Sequence, residues 1–200
     1  NIGLRDCWQT YPRGSRVAED SIAIEILPAL SGDERPGDEE AWQSIYFWLD
    51  ADRYLLKAGL ALTRELQLTY GERDERLIDW FADPPAVRPT LSWLNESGVM
   101  SPLAPKNTGL AENYERETEG GYDQWIEDRE IWRSYGLINY GDWYGESGYS
   151  WGNNEYDPAF AHYCEFLRGG DPRWFRIAAD AARHLGDVDT INFSTAPLQI

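Results

Sequence analysis

Two hundred residues with 42% hydrophobic content can bury one good core or two small ones. A net charge of −17 and a pI near 4.4 repel phosphate backbones and anionic lipid, which argues against nucleic acid and membrane as partners. No apolar run is long enough to span a bilayer, and no basic segment leads into the apolar stretch of a signal peptide.

Of the 18 basic residues, Lys57 and Lys106 alone are lysines, a bias that fits either salt adaptation or high-GC coding. Cys7 and Cys164 have no metal-ligand spacing, and two buried free thiols are expected in preference to a disulfide. Asn1 in place of Met, and an ending in Ala196 to Ile200, read as the middle of a polypeptide, so the chain is expected to belong to a longer one.

In chain order, residues 1 to about 70 read as strands. Ile22, Ile24 and Ile26 alternate on one face until Pro28, and Gly32 to Glu40 is a charged turn. Ser44 to Leu49 and Leu60 to Tyr70 are further strand candidates, with helix competing over Tyr54 to Leu68. A zone rich in proline follows, from Asp83-Pro84-Pro85 to Pro105, with short helical turns at Glu72 to Phe81 and Thr90 to Glu96. The domain boundary is placed near residue 105.

Leu110 to Tyr135 predicts helix, weakened at Gly120-Gly121. Tyr122, Trp125, Ile126 and Trp132 face inward, and Glu115, Glu119, Asp123, Asp128 and Glu130 face outward. Gly136 to Ser194 organises the rest: a Gly- and aromatic-rich loop, two helices and an acidic turn, holding both histidines. Asp157-Pro158 and Asp171-Pro172 are helix starts, and Gly169-Gly170 is a stop. Phe160, Ala161, Cys164 and Leu167 mark the first helix. Trp174, Phe175, Ala178, Ala181, Ala182 and Leu185 mark the second, giving an αα-hairpin.

Three segments carry a resemblance. Arg5 to Gln9 with Tyr11-Pro12, Lys57 to Glu65, and above all Tyr135 to Trp143 with Asn153 to Asp157 are similar to the YetA-like family that includes fungal exo-rhamnogalacturonan lyase. The likeness runs through nearly the whole chain. It implies a longer protein with an N-terminal β-rich domain, a central α/α barrel-like domain and a further β domain. The expected fold is then α+β: residues 1–105 end a β-sandwich-like domain with its connector, and residues 106–200 open an α/α barrel-like toroid.

The activity implied is that of a polysaccharide lyase, cleaving rhamnogalacturonan or a related uronic-acid-containing polysaccharide by β-elimination. Location is open, with secretion or the cell surface favoured if it degrades polysaccharide. Elimination needs a group to neutralise the uronate, a base and an acid. Asn153 and Asn154 stand before a helix start, where amides bind anions, although Asn in such a turn is ordinarily turn chemistry. Tyr140 and Tyr156 are candidate proton carriers or packing residues, and Trp143 and Trp151 candidate sugar platforms.

His162 reads as a hydrogen-bonded core histidine. His184, like Arg183, suits a helix C-terminus and could also face the site. Asp142 and Glu155 are candidate substrate-binding residues, or the acid and base of a rival glycoside hydrolase. No cofactor is expected. Calcium at Asp142, Glu146, Glu155, Asp157, Asp187 and Asp189 is a minor alternative, because their spacing matches no calcium loop. A non-catalytic glycan-binding or scaffold module is the third reading.

Overall fold

Helix starts and stops written into the sequence place the helical half of the molecule. The computed structural model describes residues 1–29, 48–50, 53–145 and 150–194. Helix α1 (Glu75–Ala82) starts where Asp74 accepts from the Arg76 amide, and α2 (Leu91–Ser97) runs from Thr90 to a left-handed Gly98. Helix α3 (Glu112–Ile131) passes through Gly120-Gly121 as one element. Asp157 caps α4 (Pro158–Gly169) through the Phe160 amide, and Asp171 caps α5 (Pro172–His184) through the Arg173 amide. Gly170, at φ 80°, turns the chain between them. A π-helical turn, Leu185–Asp189, continues α5.

The β-rich half is more fragmentary than expected. Strands β1 (Ile2–Leu4), β2 (Gly14–Val17), β3 (Ile22–Glu25), β4 (Leu49–Asp50), β5 (Arg53–Tyr54) and β6 (Leu66–Leu68) form three antiparallel ribbons, β1-β6, β2-β3 and β4-β5. Ile2 lies opposite Leu68 and Gly14 opposite Glu25. The α+β class holds, but among the described residues these ribbons do not build two facing sheets of a sandwich. The strand expected over Leu60 to Tyr70 shrinks to β6, and the competing helix does not form. The reason is tertiary: the Ala61 amide donates to the Asp187 carbonyl at 2.9 Å, and the Thr63 amide to Asp187 Oδ2 at 2.6 Å. Those backbone groups are spent on the π-helical turn. The Gly32 to Glu40 turn and residues 44–47 lie outside the described residues.

Two clusters form the core. Trp48, Leu137, Ile138 and Val188 join the ribbons to the organising loop, with Tyr11, Leu60 and Leu62 packed against them. Phe166, Trp174 and Ile177 join the αα-hairpin to Tyr122 and Ile126 of α3. Arg183 ties the halves together, reaching Asp6 at 2.9 Å and Glu65 at 2.7 Å.

The α4 stripe is out of phase with expectation. Phe160 is 58% exposed and Ala161 is also exposed, while Ala159, Glu165, Phe166 and Arg168 are buried. Charge hides this face from a hydrophobic count. Arg168 meets Glu165 at 2.7 Å and Glu115 at 3.2 Å, and Lys106 meets Glu165 at 3.2 Å and Glu119 at 2.7 Å. Glu115 and Glu119 therefore turn inward, not outward. On α5, Leu185 is 40% exposed, whereas Ile177 and His184 are buried. Cys7 is exposed and Cys164 half-buried, both free, so the expected burial of Cys7 does not occur. Replacing Arg168 by methionine leaves Glu165 buried with half its compensation, and a loss of about 3 kcal/mol in denaturant unfolding is the expected outcome.

Candidate functional site

Asp142 is the pin of the organising loop. Its Oδ2 accepts from the Asn153 amide and its Oδ1 from the Asn154 amide, both at 3.0 Å. These contacts hold a run of left-handed residues, with φ of 49° at Asn153, 51° at Asn154, 71° at Tyr156 and 52° at Asp157. Tyr144 and Trp151 bridge antiparallel across the loop, and Gly152 lies flat on the Trp143 ring, where a Cβ would come within 2.4 Å. Burial raises the Asp142 carboxyl above its ordinary range, against the pull of His184 and the loop amides.

The last turn of α5 brings His184 to the same place, 3% exposed. Its Nε2 stands 3.7 Å from Asp142 Oδ2 and 3.5 Å from Asp189 Oδ1, too far for a hydrogen bond to either. Both His184 ring nitrogens, both Asp189 oxygens and Asn154 Oδ1 are buried without a hydrogen-bond partner. The other end of the Asn154 amide is fixed on the Ala181 carbonyl at 3.0 Å. A cavity of about 110 Å³ opens here, lined by Lys57, Asn139, Asp142, Trp151, Asn153 and His184 among others. Among the described residues the Lys57 ammonium makes no ion pair or hydrogen bond.

The structure thus gathers Asp142, Trp151, Asn153, Asn154 and His184, and separates the remaining candidates. Tyr140 is not on this cavity: its hydroxyl donates to Asp180 at 2.8 Å and its ring lies under Arg129. Tyr156 is 77% exposed and Glu155 is exposed, both away from the lining. Trp143 walls a smaller neighbouring cavity of about 50 Å³ with Trp125 and Arg129. Asp142 takes the backbone amides of Asn153 and Asn154, and the Ala181 carbonyl takes the Asn154 side-chain amide, whereas the Asn153 side chain is exposed.

Of the carboxylates proposed for calcium, Asp157 is a helix cap and Asp187 is held by Thr63. Glu146 lies outside the described residues. Among the described residues no group of three or more His, Cys, Asp or Glu is placed to hold a metal ion. Sequence reasoning missed Lys57 as a site residue, although it opens one of the family-like segments and is one of two lysines. It assigned Asp189 no part beside His184, because the approach depends on the π-helical turn.

Asp180 shows what burial does next to the site. Burial pushes its carboxyl up to about 6, against Arg129 and the Tyr140 hydroxyl. The folded state then holds its proton more tightly than the unfolded chain, so this contribution to stability falls as pH rises from about 4 to about 6. In Asp180→Asn that slope should be absent. Unfolding free energies measured across the interval should converge on, or cross, the wild-type curve toward higher pH.

A capped αα-hairpin packed on a long helix, with the organising loop and His184 at the end away from its hinge, defines a domain of the α/α class. Residues 84–195 match the PcRGLX-like protein C-terminal alpha/alpha toroid domain, and the chain belongs to that family, which is related to rhamnogalacturonan lyase. The family's toroid is described as C-terminal rather than central. No curated protein matches the chain. Among the described residues no helix is long and apolar enough to cross a membrane.

Proposed function

We propose that the cavity between Lys57, Trp151, Asn153 and His184 is part of the site of a polysaccharide lyase acting by β-elimination on rhamnogalacturonan or a related uronic-acid-containing chain, outside the cell. The observation that carries this reading is Lys57. In a chain of net charge −17, an ammonium at a cavity mouth with no carboxylate partner among the described residues has the charge and freedom to receive one from a substrate. Neutralising the uronate acidifies the hydrogen next to its carboxylate.

His184 is suited to moving that proton, since its ring nitrogens carry no hydrogen bond and Asp142 and Asp189 flank it. The proton leaves the carbon beside the carboxylate, a carbon–carbon double bond forms, and the bond to the leaving glycosidic oxygen breaks as that oxygen is protonated. Trp151 offers a flat face to a sugar ring, and Asn153, exposed at the rim, offers its amide side chain.

The hydrolase reading is weaker here. Asp142 spends both oxygens on loop amides, and Glu155 is off the cavity. The test is digestion of rhamnogalacturonan followed in the ultraviolet: elimination yields an absorbing unsaturated uronate. New reducing ends without that absorbance would select the hydrolase, and binding without turnover the glycan-binding module. Replacing His184 by alanine is expected to lower the elimination rate by about 10²–10⁴-fold, as for loss of a proton carrier.

A further inference from the structure

The Asp189 carboxylate is buried beside His184 with no donor to hold it. Its side chain is 9% exposed, and neither oxygen has a hydrogen-bond partner. Among the described residues its ion-pairing neighbour is His184, whose Nε2 stands 3.5 Å from Oδ1. The other carboxylates around this turn are bonded through both oxygens: Asp142 by the loop amides, and Asp187 by the amide and hydroxyl of Thr63. Those contacts hold the fold. A carboxylate buried without donors costs stability, so stability does not explain Asp189.

The backbone brings it to the ring. Five residues along a regular α-helix is a rotation of about 140° from the starting side chain, which would carry Asp189 off the His184 face. The π-helical turn Leu185–Asp189 is wider and returns residue 189 toward residue 184. That turn is stapled from outside. Thr63 grips the Asp187 carboxylate, the Ala61 amide donates to the Asp187 carbonyl at 2.9 Å, and the Asn192 side chain donates to the Gly186 carbonyl at 2.9 Å.

The neighbours of the ring select its tautomer. Nε2 faces two acceptors, Asp189 Oδ1 at 3.5 Å and Asp142 Oδ2 at 3.7 Å, and a lone pair there would be repelled by both. The ring proton therefore belongs on Nε2, which leaves Nδ1, also without a hydrogen-bond partner, as the basic nitrogen. An approach of about 0.5 Å by Oδ1 makes the hydrogen bond, and catalytic contacts of this kind often tighten only with substrate in place.

We propose that Asp189 is the positioning residue of His184: it accepts from Nε2–H, fixes the ring with Nδ1 as the proton-accepting nitrogen, and balances the imidazolium once Nδ1 has taken the proton. This rests on the lyase reading, in which His184 moves that proton. Asp189 does not line the cavity, so it acts through the ring and not on the sugar.

The experiment reads the protonated nitrogen directly, from the ring nitrogen resonances of the full chain in the neutral form of its histidines. Native His184 should show the Nε2–H form. Asp189→Asn keeps the shape but offers an NH2 as well as an oxygen, so the two His184 nitrogen resonances should converge as the tautomers mix. His162 is the control and should stay in place: it lies on a different cavity, and its Nε2 is buried without the hydrogen bond expected of it. On rhamnogalacturonan the variant should lose about 10²-fold in kcat, the scale of a misplaced catalytic group, with KM changed by less than about twofold. Its Tm should hold or rise, because a buried charge without donors has been removed. Native His184 protonated on Nδ1, an unchanged tautomer in Asp189→Asn, or a lower Tm with native kcat overturns the proposal. With native turnover intact, such a result removes Asp189 alone. No turnover by the native chain removes the lyase reading and this role with it.

Discussion

Lys57→Met should lower kcat/KM for elimination by about 10²–10³-fold, the scale of removing one preorganised charge that faces developing negative charge in a transition state. Stability should scarcely change, because among the described residues the ammonium makes no ion pair or hydrogen bond and the side chain is exposed. The effect should fall mainly on kcat, since neutralisation matters more as charge moves onto the uronate than in the ground state. Lys57→Arg keeps the charge but changes its shape, so it should recover part of the rate. Initial rates from ultraviolet absorbance, with a melting curve for each variant, check this. Wild-type kcat/KM in Lys57→Met would remove the observation on which the lyase reading stands.

Gly141→Ala is expected to be the most damaging single methyl in the loop. Gly141 adopts φ of 96°, a region that side-chain-bearing residues rarely enter, and an added Cβ would sit 2.3 Å from the Asp180 carbonyl oxygen and 3.0 Å from His184 Cβ. Neither neighbour can yield easily, since one is helix backbone and the other is anchored in the last turn of α5. Backbone strain and overpacking together predict a loss of about 3–5 kcal/mol. Gly186→Ala is the matched control, because a Cβ there meets nothing within 4 Å, and it should be close to neutral. Denaturant unfolding of the two variants checks the contrast. Any active Gly141→Ala protein should also have lost rate, since the clash pushes on His184 itself.

Arg168 and Asp180 extend the same logic from single atoms to networks. In each case a polar group on an inward helix face is stabilised by partners far away in sequence: Glu115 lies across from Arg168, and Tyr140 and Arg129 lie against Asp180. This is also where the hydrophobic pattern misleads. A stripe of apolar residues cannot reveal a helix that buries Glu165 and Arg168, so the α4 face was read one step out of phase.

Local chemistry was legible in the residues themselves. Asp157-Pro158 and Asp171-Pro172 start helices because a side-chain oxygen next to free amides needs no tertiary help. Gly170 ends one for an equally local reason, and the run from Tyr135 to Asp157 announced both the family and the loop that matters. What the ribbons do, which tyrosine is spent on a carboxylate, and that Lys57 and His184 line one cavity could be decided only once distant segments came together. Hydrogen bonds such as Thr63 to Asp187, and the packing of Trp48 on Leu137 and Ile138, act across more than 80 positions of chain. A cap is settled by its neighbours in sequence, whereas a cavity is settled by which separate segments exclude water together.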